Sequence, residues 1–454
     1  MSSTPVFTIP QFQAALATQT ASTLTEQWLA RAQASMDAGD AIFATLTPAR
    51  ARQAALRVDA QGCRHALAGI PVSWKDVYDQ SGEVTRLSSP TTARDAVKRH
   101  DAHAVALLES VGAVSLGRTT MTELALSGLG LNPHVGTPIN AWSGQEALAP
   151  GGSSSGAALS VARGLVAYAM GSDTSGSIRI PAALNGLAGF RPTSMRLSRL
   201  GVWALAPTLD SIGPLAHTVA DICTIMRAFA VDADAAASKP VRCIVPQGWL
   251  CEEVEPAIAA DFENTLLRLQ DAGVQLERRD VPMLAAPRAL FAEYGALVGI
   301  EAWMMHREVL AQAACMDARV VGRLRAHSHF PPHHLAILLA RRAQWQRELA
   351  QMLGDALLLL PTTAIDAPPL VRLAEDAAYF AECNQAILRN PMMASFLDLP
   401  ALTLPTGCKS NGLPGALMVL GSSGCDEAVL AGGRRLAHCL TGDQAMNMQR
   451  VLSA

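Results

Sequence analysis

The 454-residue chain lacks the features of a secreted, membrane-spanning or nucleic-acid-binding protein. Its nine cysteines are scattered, odd in number and without a Cys-x-x-Cys pair, which disfavours a disulfide framework. No run approaches the roughly 18 apolar residues that span a bilayer, and the start, MSSTPVFTIPQF, lacks a secretion signal. A formal charge of −3 favours neither nucleic acid nor an anionic membrane as a partner. We therefore expect a cytoplasmic protein with neither partner.

Lysine is also scarce, with four residues among 36 basic ones: Lys75, Lys98, Lys239 and Lys409. Lys75 follows the apolar stretch GIPVSW, which predicts a buried strand over 67–74 with Lys75 and Asp76 at its C-terminal edge. One interpretation is an exposed cation paired with Asp76. The other is a general base, because burial lowers the pKa of a lysine from its usual value of about 10.4.

Alternation of helical and strand patterns predicts an α/β layered fold. Residues 9–58, 101–111 and most of 285–353 have helical patterns, whereas ALLLLPTTA and ALTLPTG are typical of short strands. Half of the residues are hydrophobic, which is ample for a large core, and no linker or repeat divides the chain. We expect a single large domain over residues 1–454.

Two glycine- and serine-rich clusters, APGGSSSG and GSDTSGSIRIPA, are separated by an alanine-rich segment. The second is predicted to follow a strand that ends at Met170 and to form a tight loop before a short helix. Such a loop can hold an oxyanion on its backbone N–H groups. Ser177 is then a candidate nucleophile, with oxyanion donors at Thr174, Ser175 and Gly176. The alternative is a turn with a helix-capping serine.

Ser153, in the first cluster, is a candidate to pass a proton between Ser177 and Lys75, although a serine there also suits a helix N-cap. Other arrangements fit less well. No Gly-x-Ser-x-Gly motif is centred on Ser177, there is no Ser-x-x-Lys motif, and no phosphate-binding Gly-Lys-Ser/Thr follows the first cluster.

The segment HSHFPPHH carries four histidines and raises the question of a metal site: His327, His329, His333 and His334. Its prolines break the helical spacing that a pair of ligands would need, and no cysteine or carboxylate lies within the run. We interpret the segment as a solvated or pocket-lining loop and expect neither a metal nor an organic cofactor.

Together, Lys75 in GIPVSWKD, Ser153 in PGGSSSG and Ser177 in GSDTSGSIRIPA resemble the amidase signature family. The resemblance implies a mixed, mostly parallel twisted sheet sandwiched between helices. It also implies hydrolysis of a carboxylic amide, releasing ammonia or an amine. Ser177 would attack the carbonyl while its proton passes through Ser153 to a neutral Lys75. The resemblance further places a cis peptide at Gly152–Ser153.

The resemblance is strong over residues 65–222, fair in the N-terminal helices and over 357–408, and weak over 230–355. It divides the domain into N-terminal helices (1–64), a signature core (65–222), a divergent substrate-determining region (230–355) and C-terminal strands and helices (356–454).

The resemblance also implies supporting or substrate-lining roles for a further set of residues. Arg179 would either bind a substrate carboxylate or pair with an internal acid. Ser175 replaces a common glycine, which is tolerable if its φ is not positive. The complete set is Met121, Ser127, Ser154, Asp173 and Arg179.

Two other functions remain open. One is the A subunit of a glutamine-dependent amidotransferase, but ASFLDLPALTLP shows no clear counterpart of the acidic residue that holds glutamine's amine in such subunits. The other is a catalytically silent binding subunit, which the presence of all three relay residues disfavours. We expect a small-molecule amide as the partner, and leave open its identity, a homodimer and a partner subunit.

Overall fold

The computed structural model describes residues 8–62, 65–91, 96–236 and 241–440. Lys239 and residues 1–7 lie outside these ranges. Residues 1–7 belong to the N-terminal segment considered above for a secretion signal. The strands are β1 Phe43–Leu46, β2 Pro71–Lys75, β3 Val114–Thr119, β4 Tyr168–Asp173, β5 Ala188–Arg191, β6 Ser211–Ala216, β7 Arg242–Pro246, β8 Gln275–Arg279, β9 Leu357–Pro361, β10 Ala401–Cys408 and β11 Pro414–Leu420.

The α-helices over the described ranges are α1 Ile9–Leu16, α2 Ala21–Asp37, α3 Pro48–Gln61, α4 His103–Ser110, α5 Ser155–Ala162, α6 Arg179–Leu184, α7 Val219–Ala228, α8 Trp249–Glu252, α9 Pro256–Asp271, α10 Pro282–Tyr294, α11 Leu297–His306, α12 Ala318–Arg325, α13 Pro332–Leu353, α14 Leu370–Glu375, α15 Ala377–Phe396 and α16 Asp426–Leu440. Three 3₁₀ segments accompany them: Glu123–Ala125, Ala233–Ala236 and Arg307–Cys315.

All eleven strands form one sheet in the order β1-β3-β2-β4-β6-β5-β10-β11-β9-β7-β8. The sheet is mixed, as expected, but the prediction that it is mostly parallel is wrong. Only β2–β3, β2–β4, β7–β8 and β7–β9 pair in parallel, and the middle of the sheet is antiparallel. The short connection from Cys408 to Pro414 shows one reason, since it can join antiparallel strands but is too short for a crossover.

Several local predictions are confirmed. Lys75 ends a buried strand, helices fill most of 285–353, and both C-terminal apolar stretches form strands. Three predictions of extent are wrong. Strand β1 interrupts the segment 9–58, which was predicted to be helical, and β2 begins at Pro71 rather than at residue 67. In addition, β4 continues beyond Met170 to Asp173. The extension is held by antiparallel pairing with β6, in which Gly171 faces Gly213 and Asp173 faces Ser211.

The alanine-rich segment between the two clusters forms α5 and then β4. Every residue of α5 is buried, which its small side chains allow. At Gly156 a Cβ atom would lie 2.4 Å from the backbone oxygen of Ile42, so only glycine permits this approach. The Ser160 hydroxyl contacts the Ser73 hydroxyl of β2 at 2.8 Å. The helix is thereby fixed against the strand that carries Lys75.

Among the described helices, no single one is long and apolar enough to cross a membrane. The segments 282–294 and 297–315 together have sufficient length and apolar character, but a 46° bend separates them.

Replacement of Leu402 tests the packing of the hydrophobic core. It is fully buried in β10, where it pairs with Phe190 of β5 and packs on Gly433 of α16. Leu402→Ala should lower the free energy of unfolding by about 2–5 kcal/mol, since it leaves a cavity that the sheet cannot close. Leu56→Ala, at an exposed position of α3, should change it by no more than about 0.5 kcal/mol. Equal losses in urea unfolding would contradict this account of the core.

Candidate active site

Lys75 lies at the carboxyl end of β2, beside the parallel strand β4. Its side chain is completely buried. The Nζ atom lies 2.7 Å from Ser153 Oγ and 2.8 Å from Ser172 Oγ, and it donates to the Ser172 carbonyl oxygen at 3.3 Å. Asp76 points elsewhere and forms an ion pair with Arg118 at 2.6 Å. The structure therefore contradicts the interpretation of Lys75 as an exposed cation paired with Asp76.

Burial lowers the pKa of Lys75 to about 7, although the carboxylates of Asp173 and Asp210 act in the opposite direction. The charged ammonium loses its hydration in this position, and two serine hydroxyls with one carbonyl do not replace it. Near neutral pH a substantial fraction of Lys75 is a free amine, which can accept a proton.

Ser153 precedes α5 but does not cap it. The N-cap residue is Ser154, whose side chain makes no capping hydrogen bond. The peptide between Gly152 and Ser153 is cis, as the family resemblance predicted. Ser153 is buried and its hydroxyl contacts the Lys75 amine. The helix-capping alternative for Ser153 is thereby excluded.

Ser177 lies in the loop between β4 and α6. The N-cap of α6 is Ile178, so Ser177 is not a helix cap either. Ser154 N–H donates to the Ser177 carbonyl at 3.3 Å, which joins the two clusters through their backbones. Among the described hydrogen bonds none links the Ser153 and Ser177 hydroxyls. The structure thus joins Lys75 directly to Ser153 and places Ser177 on the adjoining loop.

The predicted oxyanion donors divide into two groups. Gly176 N–H donates to Asp173 Oδ1 at 2.7 Å, so its expected role as an oxyanion donor needs correction. In contrast, no described backbone hydrogen bond uses the N–H of Thr174, Ser175 or Ser177. Ser175 does not have a positive φ, whereas Gly176 has a φ of 125°. The serine at 175 is therefore compatible with the loop.

Asp173 organises this loop from inside. It accepts hydrogen bonds from Gly176 N, from Ile178 N at 3.1 Å, and from Arg179 Nη2 at 2.9 Å. Burial would raise its pKa, but Arg179 and Arg191 lower the pKa of Asp173 to about 2. Arg179 is itself fully buried and also donates to Ser395 Oγ at 2.7 Å. Of its two expected roles, the structure supports pairing with an internal acid.

Ser172 and Asp210 contact the candidate site but are absent from the sequence-based set. Asp210 accepts a hydrogen bond from Thr174 Oγ1 at 2.6 Å and others from the N–H groups of Leu205 and Ala206. Burial raises the pKa of Asp210 to about 6, and these hydrogen bonds oppose the rise. In the sequence, Ser172 is marked only by its place in the polar triplet GSD, which ends a buried strand.

The remaining predicted residues make hydrogen bonds to neighbouring segments. Met121 is buried, and its N–H donates to Ser88 Oγ at 3.2 Å. Ser127 Oγ donates to Asn384 Oδ1 of α15 at 3.0 Å. Ser154 Oγ donates to the Ser172 carbonyl oxygen at 3.3 Å. These contacts are structural, with no described contact to the Ser177 hydroxyl among them.

A cavity of about 200 Å³ lies against Ser172 and Thr174. Asp210 and Ser211 also border it, and Arg199 lies at its edge, donating to the carbonyl oxygens of Pro207 and Asp210. Most of its remaining lining is apolar: Val77, Ala125, Val202, Trp203, Leu205 and Ile212. The cavity can accept an apolar group beside the loop that carries Ser177.

The histidine-rich segment does not line this cavity. Its interpretation as a loop is wrong at the end, because helix α13 begins at Pro332 and includes His333 and His334. His327 and His329 pack near Phe330, and His334 packs near Tyr294. Within the described ranges, no group of three or more histidine, cysteine or acidic residues could hold a metal ion.

The site thus brings together a buried lysine, a serine hydroxyl in contact with it and a neighbouring loop whose N–H groups at Thr174, Ser175 and Ser177 have no described partner. A profile of the amidase family matches residues 23–430. The chain belongs to the amidase family, whose members hydrolyse carbon–nitrogen amide bonds.

Three comparisons illustrate the similarity. The chain is 31% identical over 392 residues to 2-amino-5-chloromuconic acid deaminase of Comamonas testosteroni, covering 84% of each chain. It is 34% identical over 259 residues to the A subunit of the glutamyl-tRNA(Gln) amidotransferase of Streptococcus pneumoniae, covering 53% of this chain and 52% of that protein. A crystal structure of an amidase superimposes with a TM-score of 0.82 at 28% identity, covering 95% of this chain and 98% of the other.

The burial of Lys75 has a consequence that does not depend on activity. Its pKa of about 7 lies below that of the unfolded chain, near 10.5, so below pH 10 the unfolded chain binds more protons at this site. The stability contributed by Lys75 is therefore full above pH 10.5 and is lost as pH falls toward 7. Compared with Lys75→Met, the wild-type protein should gain up to about 1.4 kcal/mol per pH unit across this interval.

Urea unfolding of both proteins at several pH values between 7 and 10 measures this difference. Lys98→Met, at a partly exposed lysine that pairs with Asp79, is the control and should show a much smaller trend. A difference between wild type and Lys75→Met that does not change with pH would mean that Lys75 remains charged in the folded protein.

Proposed function

We propose that this amidase-family hydrolase cleaves a carboxylic amide through an acyl-enzyme on Ser177, with Ser153 and Lys75 as the proton relay. The observation that carries the proposal is the contact of 2.7 Å between a buried, readily deprotonated Lys75 and the Ser153 hydroxyl. A neutral lysine can serve as the general base that a serine nucleophile needs.

In the first step, Ser177 Oγ bonds to the amide carbon while its proton passes to Ser153, and the Ser153 proton passes to Lys75. The carbonyl oxygen becomes an oxyanion that the N–H groups of Thr174, Ser175 and Ser177 stabilise. The unlinked hydroxyls of Ser153 and Ser177 do not oppose this step, because catalytic hydrogen bonds often tighten only when substrate binds.

Collapse of the tetrahedral intermediate breaks the C–N bond, and Lys75 returns the proton through Ser153 to the leaving nitrogen. Water then attacks the acyl-enzyme, gives its proton to the same relay, and releases the carboxylic acid and Ser177. We propose ammonia as the leaving group, which agrees with the deaminase name of the Comamonas testosteroni relative. No step requires a metal or an organic cofactor.

A second candidate is an amidotransferase A subunit, in view of the similarity to the Streptococcus pneumoniae protein. The acid in the relevant segment, Asp398, contacts Arg191 at 3.2 Å and Ser194 Oγ at 2.8 Å. It is therefore engaged internally, which supports a stand-alone amidase. Size-exclusion chromatography with a glutaminase assay decides between them. Ammonia release from glutamine only in a complex with a second protein would favour the amidotransferase, and the same column reports a homodimer.

Removal of the nucleophile is the first test. Ser177→Ala should reduce amide turnover by at least a thousandfold and abolish labelling by a fluorophosphonate, because it deletes the hydroxyl that forms the acyl-enzyme. Ser175→Ala, which removes the neighbouring hydroxyl, should still be labelled. Labelling and turnover that persist in Ser177→Ala would exclude Ser177, and a wild-type protein that is never labelled would favour the silent binding protein.

The protonation of Lys75 should control the pH profile. Because the relay needs a neutral amine, kcat/KM should rise as pH increases through about 7 and then reach a plateau. The charges that bear on Lys75 are Asp173, which is paired with Arg179, and Asp210. A flat profile from pH 5 to 9, with chemistry rate-limiting, would contradict the relay.

Asp210→Asn tests the effect of the Asp210 charge on the pKa of Lys75. Asp210 stabilises the charged form of Lys75, so its removal should lower the pKa of Lys75 and move the rising limb of kcat/KM to more acidic pH. Thr174→Val removes the hydrogen bond from Thr174 to Asp210 but leaves the carboxyl group in place. Because that hydrogen bond opposes the rise of the Asp210 pKa, its loss should move the limb in the same direction as Asp210→Asn but by less. Identical pH profiles for wild type and Asp210→Asn would refute this electrostatic role.

A further inference from the structure

The side chain of Trp203 forms part of the wall of the cavity beside the loop that carries Ser177. Its indole lines the cavity together with Val77, Ala125 and Ile212, all of which have little other exposure to solvent. Val77 lies two residues beyond Lys75, which ends β2, and Ala125 ends the 3₁₀ segment Glu123–Ala125. Thr174 of the oxyanion loop borders the same space. A group that fills this cavity therefore lies against Ser172, which contacts Lys75, and against Thr174 of the loop that carries Ser177.

The imidazole of His306 stacks on one face of the Trp203 indole and thereby fixes its orientation. The two rings stack with centroids 4.1 Å apart and planes inclined by 20°. His306 ends α11, in the region whose sequence diverges from the family. Burial lowers the pKa of His306 to about 4, although backbone contacts with Ala204 and Leu205 oppose the shift. At neutral pH the imidazole is uncharged and covers one face of the indole, so the cavity meets the indole's other face or its edge.

The size of the cavity limits what it can hold. Its volume is about 200 Å³, and an apolar protein cavity of about 150 Å³ already accepts benzene. One six-membered ring, or a planar unsaturated chain of similar size, would fill the space, and a second ring would extend beyond it into solvent. A flat aromatic wall also favours a planar group over a puckered one.

We propose that the cavity binds the acyl part of the substrate and that the substrate is a primary amide of a planar acyl group, aryl or conjugated, about one ring in size. This inference rests on the proposed function above. In a primary amide the leaving group is ammonia, so the acyl part alone can occupy an apolar cavity. Trp203 then determines specificity, and His306 is a positioning residue that acts through it.

The test compares kcat/KM for acetamide, cyclohexanecarboxamide, benzamide and biphenyl-4-carboxamide by ammonia release. Wild type should prefer benzamide to acetamide by at least tenfold, with cyclohexanecarboxamide intermediate and the biphenyl amide no better than benzamide. Trp203→Ala should lower kcat/KM for benzamide by roughly tenfold to a hundredfold and change that for acetamide by less than about threefold. Trp203→Phe should restore most of the preference, and His306→Ala should reduce it by raising KM for benzamide.

Leu56→Ala is the control and should match wild type with all four amides. Fluorophosphonate labelling of each variant shows whether Ser177 remains reactive. A labelled wild-type enzyme that hydrolyses acetamide as well as benzamide, or a Trp203→Ala variant that is labelled normally and loses both activities equally, would overturn the assignment of Trp203. A wild-type protein that is neither labelled nor active on any amide would refute the proposed function instead.

Should Trp203→Ala fail to fold, Trp203→Phe and Trp203→Leu provide the same comparison with smaller losses of volume. The aromatic variant should retain the benzamide preference and the aliphatic one should lose it. Equal preference in the two variants would overturn the assignment.

Discussion

The candidate site depends on the burial of one amine among three polar oxygens. Lys75 is held by Ser153 and by the hydroxyl and carbonyl of Ser172, with its aliphatic stem inside the sheet. The parallel pairing of β2 with β4 makes this possible, because it brings the carboxyl ends of both strands to one edge. A lysine at a solvent-exposed strand end would keep its hydration and its charge. The position of the amine in the sheet therefore decides its chemistry.

A nearby carboxylate would normally hold such a lysine in its charged form. Asp173 lies close enough to raise the pKa of Lys75, yet its own charge is balanced by Arg179 at 2.9 Å and, more weakly, by Arg191 at 3.8 Å. The guanidinium groups balance the charge of Asp173, and its carboxylate also accepts hydrogen bonds from the N–H groups of Gly176 and Ile178. Burial of Lys75 therefore outweighs the opposing effect of Asp173, and the pKa of Lys75 is lowered.

The sequence was most informative where a short motif and a scarce residue coincide. Lys75 and Ser153 could be singled out because each lies within a few residues of its own signal, whereas the cis peptide between Gly152 and Ser153 was predicted from the resemblance to the amidase signature family. Strand orientation could not, because residue patterns within β5, β6 and β10 do not show which neighbour each will pair with. Asp210 was missed for the same reason, since only the pairing of β6 with β4 brings its segment to Thr174.

The parts of the site differ in how they are held. Lys75 and the loop that carries Ser177 are fixed by strands β2 and β4 and by the buried ion pair between Asp173 and Arg179. The cavity wall instead includes the indole of Trp203, which stacks on His306 at the end of α11. A change near His306 can therefore reshape the cavity through Trp203 without moving Lys75 or Ser153. Under the proposed function, this separation lets one hydrolytic site serve different acyl groups, because the residues proposed to select the substrate do not support the residues proposed to carry the proton.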